Sequence, residues 1–489
     1  MSIRKLIEVL TTKPQTRRQA IRRRKLLIAL LMRLVVLVVL ILLLVLIITG
    51  IKSCSRRSAE KKAAEELKAK QEAMQGDVKI GFTGCMLLHS TILNSYLNSE
   101  GIYDFTEPFK YVEKYYSEPD IMCCEMEGSI AEDTIHVSGY PLFAYPDTFP
   151  GNLQSVGFDL QFLATNHVYD GKSKGLAKTL STYKDEKISF TGIRKKDDDK
   201  RYKIMKKNGV KIGFVDYTYG SPESFNALTV SDKDAKLINM FKEGSPDGFY
   251  SEVERQIKEM KKEGADFIVY AIHWGAEYDL EPSDDQKAIA QELCNLGVDA
   301  IIGGHPHVEQ PIEVLTSENG KHKMFCIYSI GNAFSNQTKG VVMDTAHCED
   351  GVILTMDLHK DSKGKVTITD MEMIPTWVCR QVRERKSDQD EDDEKKEDEQ
   401  EASLTADNEE TEEEEEEQVT DELYDYHVLP LNNIKGLEKK TGIKGISKDC
   451  KASYKRTMEI LGDGFKKAKK ELVTAKKTKE SKDSKKSKK

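Results

Sequence analysis

The chain has 489 residues and a formal net charge of −8, a length that allows two or three domains. Its charge is strongly segregated, because residues 384–422 carry 22 acidic and 4 basic side chains and the remainder sums to +10. The basic runs lie at the two ends without interleaved aromatic residues, which excludes a nucleic-acid-binding module.

The first 49 residues have the composition of a membrane anchor. Residues 1–25 contain nine Arg or Lys and one acid, and residues 26–49 are almost entirely apolar, with Arg33 as their one charge. About 20 apolar residues in a helix span the hydrocarbon core, and flanking basic residues favour the cytoplasmic side. We predict a single-pass protein of the cell membrane, with residues 1–25 in the cytoplasm, a transmembrane helix over 26–49 in the lipid bilayer, and an extracytoplasmic main domain. A cleaved signal peptide is disfavoured, because the apolar run is too long and no A-x-A site follows it.

A change of composition near residue 77 marks the start of a globular domain. Residues 50–76 are rich in Ala, Glu and Lys, which predicts an exposed helical spacer. From residue 77 to 383, apolar runs at 78–83, 120–124, 158–163, 211–217, 266–272 and 298–302 alternate with amphipathic segments at 174–184, 252–263 and 284–295. This alternation predicts an α/β domain. Three later runs without intervening helices, 324–329, 351–359 and 366–374, are predicted to form antiparallel hairpins that close the sheet.

The remaining residues divide into three segments. Residues 384–422 are too acidic to bury a core face, so we predict a disordered acidic insertion. Residues 423–432 contain a short apolar run and are predicted to return to the domain as a last strand. Residues 433–489 are predicted to form a helical and Lys-rich tail, and we expect disorder over residues 466–489, which contain 12 Lys and three acids.

The nine cysteines narrow the class of site that the domain can hold. No two of them form a CxxC pair, which argues against a zinc ribbon and against a thioredoxin-type redox site. Most of them lie inside apolar, strand-like runs, where a free cysteine packs as a small hydrophobic residue. We therefore expect most of the cysteines to be core residues.

Polar motifs follow several predicted strands, at the place where α/β sheets usually carry their sites. They include Glu125-Met126-Glu127, Thr165-Asn166-His167, His273-Trp274-Gly275 and Gly303-Gly304-His305-Pro306-His307. Three separate His motifs, a Glu and an Asn suit a divalent metal with nitrogen and oxygen ligands. Each motif also has a structural interpretation: His273 as a hydrogen-bonded core residue, Glu127 as a helix cap, and the His-Pro-His run as a turn. Their recurrence at successive strand ends favours one shared site.

In this order, the motifs resemble those of the CapA (poly-γ-glutamate biosynthesis) family of bacterial capsule-synthesis proteins. The family pattern runs G-D, N-L-E, N-N-H-x-x-D-x-G, H-W-G-x-E, G-x-H-P-H-x-x-Q and Y-S-L-G-N-F. The chain matches it over residues 77–334 at Gly84, Glu127, Asn166, His167, Asp170, Gly171, His273, Trp274, Gly275, Glu277, Gly303, His305, Pro306, His307, Gln310 and the run 328–334. It departs at Cys85, where the family has Asp, and at Glu125, where the family has Asn.

The resemblance implies a two-sheet, metallophosphoesterase-like α/β sandwich flanked by helices, with a divalent metal such as Mn²⁺ or Mg²⁺ as cofactor. It implies metal ligation by Glu127, Asn166, His273, His305 and His307, and it places Cys85 at a further ligand position. His167 would be the catalytic general acid. A thiol prefers softer ions than a carboxylate does, so Cys85 points to a degenerate form of the family's site.

Two functions follow from this resemblance. The first is an extracytoplasmic role in the synthesis or export of a capsular anionic polymer such as poly-γ-glutamate. Its partners would be membrane-embedded polymer synthetase subunits and the anionic cell-surface polymer. The alternative is a metal-dependent hydrolase of phosphoesters or amide bonds at the cell surface. The thiol at position 85 favours the first function.

Overall fold

The structure is a computed structural model that describes residues 16–132, 134–340, 343–383 and 422–474, together with Ile7, Thr11 and Lys13. The chain divides into two compact units, Met1–Ala73 and Met74–Lys489. Most of the acidic insertion (residues 384–421) and the end of the Lys-rich tail (residues 475–489) lie outside the described residues. The disorder expected for these two segments therefore stays a prediction.

The main element described in the first unit is one long helix, Arg17–Met74. Its apolar part, Ala20–Leu46, has the length and composition needed to cross a membrane. The helix continues without a break through residues 50–74, where the sequence predicts a helical spacer.

The second unit carries all the strands that the described residues contain. In chain order these are β1 Gly76–Met86, β2 Ile121–Met126, β3 Ser129–Ile130, β4 Ala144–Tyr145, β5 Leu160–Phe162, β6 Ser189–Thr191, β7 Tyr202–Lys207, β8 Val210–Tyr219, β9 Met240–Phe241, β10 Phe267–His273, β11 Ala300–Gly304, β12 Glu309–Thr316, β13 Lys323–Ile330, β14 Asn332–Phe334, β15 Asp350–Lys360, β16 Val366–Val382 and β17 Tyr424–Pro430.

Two large sheets face each other in a sandwich. The first has the order β17-β16-β15-β1-β2-β5-β6, with β14 also paired to β1, and the second has the order β12-β13-β11-β10-β8-β7, with β9 paired to β8. One apolar cluster fills the space between the sheets and includes Ile80 and Phe82 of β1, Phe214 of β8 and Val269 of β10. The predicted two-sheet α/β architecture is confirmed.

Helices cover the outer faces of both sheets. The α-helices of the second unit are Ser90–Ser95, Glu113–Tyr116, Phe149–Ser155, Lys172–Asp185, Asp232–Ala235, Asp247–Lys262, Asp284–Leu296, Leu437–Thr441 and Ser447–Leu472. Val253, Ile257 and Leu293 bury the apolar faces of two of these helices against the second sheet. The helix Asp284–Leu296 begins with a capping box made by Ser283 and Gln286, which satisfies its first free backbone N–H groups.

One of the three strands predicted to form closing hairpins has a different partner. β15 and β16 do pair antiparallel in the first sheet. The run 324–329 instead forms β13 of the second sheet, parallel to β11 and antiparallel to β12. The run therefore does form an antiparallel hairpin, but its partner is β12, which the sequence analysis did not identify, and its other edge lies beside β11.

The C-terminal helix Ser447–Leu472 is an integral part of the domain. Its Leu461 and Ala468 are buried in the cluster between the sheets, and a Cβ atom at Gly464 would lie 2.3 Å from the carbonyl oxygen of Ile312 in β12. Lys469 forms an ion pair with Asp370 at 2.8 Å. The disorder expected for residues 466–472 is therefore wrong, because these residues continue a helix that the core holds in place.

Arg456 of this helix reaches the strands that support the His-Pro-His turn. Its Nε and Nη2 atoms donate to the two carboxylate oxygens of Asp350 at 2.5 and 2.7 Å. The neighbouring Thr457 hydroxyl donates to Glu309 at 3.0 Å. Asp350 and Glu309 are both buried. The helix thus pairs the charge of Asp350 and gives Glu309 a hydrogen-bond donor. Glu309 lies two residues after His307.

Candidate metal centre

Strand pairing in the first sheet brings a thiol and a carboxylate together. β1 and β2 run parallel with Cys85 opposite Glu125, after a register shift that follows Phe82. The Cys85 Sγ atom donates to Glu125 Oε2 at 2.8 Å. Such irregularities often re-aim side chains at functional sites. Cys85 and Glu125, two of the positions at which the chain departs from the family pattern, are therefore direct neighbours.

Strand pairing in the second sheet brings histidines to the same place. His273 ends β10 beside Gly304 of β11, and the next residue, His305, places its Nδ1 atom 3.1 Å from His273 Nε2. A Cβ atom at position 304 would lie 2.1 Å from Glu125 Oε2, so this approach requires glycine. His305 and His307 have φ angles of 92° and 57°, a costly conformation that proteins retain mainly at functional sites.

Side chains from both sheets converge around His273. Its Nδ1 atom lies 2.9 Å from Glu125 Oε1, and its Nε2 atom lies 2.9 Å from Asn166 Oδ1 and 3.4 Å from Glu127 Oε1. His307 Nδ1 lies 3.9 Å from Glu127 Oε2. The structure thus brings together all six residues that the sequence analysis named as ligand candidates. They are Cys85, Glu127, Asn166, His273, His305 and His307.

The charge of Glu127 dominates the electrostatics of this group. Glu127 is fully buried, and neither carboxylate oxygen has a hydrogen-bond partner among the described residues. Burial alone would raise its pKa, but the charges of His307 and His273 outweigh burial and hold the pKa below its usual range. Burial likewise lowers the pKa of His273, but Glu125 and Glu127 outweigh it and raise that pKa to about 10. Glu127 is therefore an anion that imidazoles balance, those of His307 and His273 most strongly.

The donor set fits a divalent metal ion. One ligand atom from each of Cys85, Glu125, Glu127 and His273 lies within 4.8 Å of the others, close enough for a single ion to contact all four. A buried carboxylate without hydrogen-bond donors is costly unless a cation compensates it. Burial, followed by the charges of Glu125 and Glu127, raises the pKa of the Cys85 thiol. The set contains oxygen and nitrogen donors and, unlike the family pattern, a sulfur donor.

His167, the expected general acid, lies beside this group. Its Nδ1 atom is 2.6 Å from Asp170 Oδ2, and Asn226 Nδ2 lies 3.0 Å from both His167 Nδ1 and Asp170 Oδ1. Burial lowers the pKa of His167, but Asp170 outweighs burial and raises it. His167 and His307 both line a cavity of about 500 Å³. The ring is therefore oriented at the wall of a space that a small molecule could enter.

Two polar residues near the site were missed in the sequence analysis. Asp216 of β8 is fully buried, accepts a hydrogen bond from the backbone N–H of Ala164 at 2.7 Å, and leaves its Oδ1 atom without a partner. Burial and then the charge of Glu125 raise its pKa. An acid in the middle of an apolar strand was the available signal. Asn226 lies in a loop after β8, where its neighbours give no such signal.

A family model agrees with the motifs. Residues 79–337 match the model described as "Bacterial capsule synthesis protein PGA_cap", which covers more than half of the chain. The chain belongs to this family. The matched region contains all the residues of the candidate metal centre, whereas β15, β16, β17 and the C-terminal helix lie beyond it.

Curated relatives of this PGA_cap protein carry related names. The chain is 28% identical over 254 residues to the capsule biosynthesis protein CapA of Bacillus anthracis, a match that covers 51% of this chain and 57% of that protein. It is 29% identical over 226 residues to the PGA biosynthesis protein CapA of Bacillus subtilis, covering 45% and 52%. A probable polyglutamine synthesis accessory protein of Mycobacterium tuberculosis is 22% identical over 278 residues, covering 55% and 69%. The chain spans about half the length of the two Bacillus relatives it matches.

Among solved structures, a purple acid phosphatase from yellow lupin (Lupinus luteus) seeds is similar to this PGA_cap protein. The TM-score is 0.30 at 9% sequence identity, and the match covers 62% of this chain and 54% of the phosphatase. A similarity of this size carries no argument about the site or its chemistry.

Proposed function

We propose that this protein acts at the outer face of the cell membrane in the synthesis or export of a capsular anionic polymer such as poly-γ-glutamate. The observation that carries the proposal is the family match over residues 79–337. The names of the Bacillus relatives support a role in capsule or PGA biosynthesis. The partners would be polymer synthetase subunits in the membrane and the polymer itself.

The N-terminal helix supports anchoring in the membrane. Nine Arg or Lys residues precede or begin its apolar part, and this bias favours a cytoplasmic N-terminus with the domain outside the cell. Protease added to intact, wall-stripped cells should then degrade the domain and leave a small N-terminal fragment. Full protection of the domain in intact cells, with digestion only after lysis, would place the domain inside.

The candidate metal centre supports metal binding as part of this function. Glu127, Asn166, His273, His305 and His307 would hold a divalent ion with Cys85, and the bound ion would supply Lewis-acid polarisation of an oxygen atom. Glu125 accepts from His273 Nδ1 and so directs the ring's other nitrogen towards Asn166 and Glu127. Such an outer hydrogen bond fixes the tautomer of a ligating histidine.

One observation favours the second function, a metal-dependent hydrolase. Asp170 holds His167 at the cavity wall through Nδ1, which leaves Nε2 to exchange a proton with a bound molecule. The raised pKa of His167 favours the protonated ring that a general acid needs. This arrangement could protonate a leaving group in the cavity.

The cavity's lining argues against an extended polyanion as the molecule bound there. Its lining among the described residues includes Glu277, Asp344 and the aromatic rings of Tyr140, Phe143 and Tyr278, but no Lys or Arg. A run of glutamate side chains would meet two carboxylates, and the described lining offers histidines but no Lys or Arg to compensate its charge. Contact with the polymer is therefore better assigned to the Lys-rich surface, such as the exposed Lys467 and Lys470 of the C-terminal helix.

Two measurements test the proposed function and separate it from the alternative. Deleting the gene should abolish surface polymer, and complementation with the wild-type chain should restore it. Purified protein should contain a divalent metal and show little hydrolysis of a model phosphodiester. Intact polymer in the deletion strain would contradict the first function, whereas metal-dependent hydrolysis that is lost in His167→Ala would favour the second.

A further inference from the structure

Cys85 has contacts that set it apart from the other described cysteines. The second unit contains eight cysteines, and all of them are free and buried. Cys123 packs in the apolar cluster between the sheets, and Cys124 packs in the cluster on the outer face of the first sheet. Cys85 donates to the Glu125 carboxylate and belongs to the group of residues whose ligand atoms lie within 4.8 Å of one another. The sulfur atom of Cys85 thus lies where it can bind a metal ion, in addition to packing in the core.

Glu125 links this sulfur to the histidines. Its Oε2 atom contacts Cys85 Sγ at 2.8 Å and its Oε1 atom contacts His273 Nδ1 at 2.9 Å. The family pattern has Asp and Asn at the positions of Cys85 and Glu125. The two substitutions occupy opposed positions of adjacent strands, so they change one side of the donor set together. At position 85 a thiol replaces the family's carboxylate, and at position 125 a carboxylate replaces the family's amide.

We propose that Cys85 is a metal ligand and that the Cys85–Glu125 pair makes this centre select Zn²⁺ over Mg²⁺ and Mn²⁺. The inference rests on the metal binding in the proposed function and specifies which ion is bound. Thiolate and imidazole donors favour Zn²⁺, whereas Mg²⁺ and Mn²⁺ prefer oxygen donors. The thiol binds as a thiolate, and its proton passes to the solvent.

The charge of the group calls for a divalent cation, and the preferred coordination geometry distinguishes among the divalent ions. With Cys85 bound as a thiolate, Cys85, Glu125 and Glu127 place three negative charges within one buried cluster. Mg²⁺ gives up its water ligands reluctantly and demands near-octahedral geometry, while Zn²⁺ accepts four ligands in a compact shell. Cys85, Glu127 and His273, whose ligand atoms lie within 4.8 Å of one another, would supply three of those four ligands, and Glu125 would stay hydrogen-bonded to His273.

X-ray absorption at the zinc edge on the wild-type protein is the first test, and it needs no variant. The full chain in detergent is stripped with a chelator and reloaded with one equivalent of Zn²⁺. We expect a zinc–sulfur shell at about 2.3 Å. Bound zinc with only oxygen and nitrogen neighbours would overturn the assignment of Cys85 and leave the metal centre of the proposed function intact. No bound zinc, manganese or magnesium would overturn both.

Variants then test selectivity. Cys85→Ser should lose the near-ultraviolet thiolate-to-Co²⁺ absorption band and at least about tenfold in Zn²⁺ affinity, since even outer-shell changes cost 10–100-fold. Cys85→Asp should lower the ratio of Zn²⁺ to Mn²⁺ affinity by a similar factor. The matched control is Cys124→Ser, another buried cysteine of the same sheet, which should keep the band. A band that survives in Cys85→Ser, or an unchanged affinity ratio in Cys85→Asp, would refute the selectivity proposal.

Discussion

The acidic insertion closes a hairpin whose two ends are fixed. The backbone N–H of Arg383 donates to the carbonyl oxygen of Leu423 at 2.8 Å, and Val382 pairs with Tyr424 across β16 and β17. Residues 384–422 therefore connect neighbouring antiparallel strands. We predict that replacing these residues with a four-residue Gly-Ser turn leaves the fold intact and stabilises it slightly.

The size of the expected stabilisation follows from the entropy of closing the loop. This entropy scales as (3/2)RT ln n, so shortening the connection from 39 residues to 4 should stabilise the domain by about 2 kcal/mol. Unfolding entropy is about 2.1 cal/mol/K per residue, and the domain has roughly 360 described residues, so Tm should rise by about 3 °C. Loss of the like-charge repulsion within 22 acids acts in the same direction.

Scanning calorimetry of the two proteins in one buffer measures this shift. A control in which residues 384–422 become a neutral 39-residue Gly-Ser loop separates length from charge and should change Tm less than the deletion does. A fall of several degrees on deletion would refute the reasoning, because it would mean that the acidic residues make native contacts which the turn cannot replace.

Three further predictions concern the buried acids and the metal centre. Arg456→Met should lower the free energy of unfolding by roughly 2–4 kcal/mol in urea, since it leaves Asp350 unpaired, whereas Lys455→Met beside it breaks only an exposed pair and should cost under about 0.5 kcal/mol. Elemental analysis should show that His305→Ala has lost most of the bound metal while staying folded. His359→Ala, which breaks an exposed pair with Asp77, should keep its metal, and equal metal content in the two variants would contradict the site. Burial raises the pKa of Asp350 to about 6, so the folded state holds the proton more tightly than the unfolded state does. The contribution of Asp350 to the free energy of unfolding should therefore fall as the pH rises from about 4 to about 6. In urea titrations across this range the free energy of unfolding of Asp350→Asn should fall less than that of the wild type, and an equal fall would refute this prediction.

The position of the site could be predicted because strand order carries it. Glu127 follows β2, His273 ends β10 and His305 follows β11, and the carboxyl ends of parallel strands meet at one edge of a sheet. What the motifs could not show is how the two sheets face each other. Glu125 and His273 are 148 residues apart and lie in different sheets, so their 2.9 Å contact depends on packing across the whole core.

Two features of the fold could not be predicted from local composition or hydrophobic pattern. Residues 466–472 are dominated by Lys, yet Leu461 and Ala468 lie seven residues apart on one buried helix face. The direction of β13 depends on β12, whose alternation is interrupted by polar residues such as Glu309 and Gln310. Both acquire their structure from contacts with distant strands, which a local pattern cannot contain.

The contact between Arg456 and Asp350 determines at which stage of synthesis the strands around the His-Pro-His turn become stable. The ribosome delivers the His-Pro-His turn well before the helix that supports it, since Thr457 and its partner Glu309 are 148 residues apart. Until that helix docks, Glu309 and Asp350 lack these partners, and burying them is costly. A nascent or prematurely terminated chain would therefore hold its histidines loosely and expose the neighbouring strands to proteases.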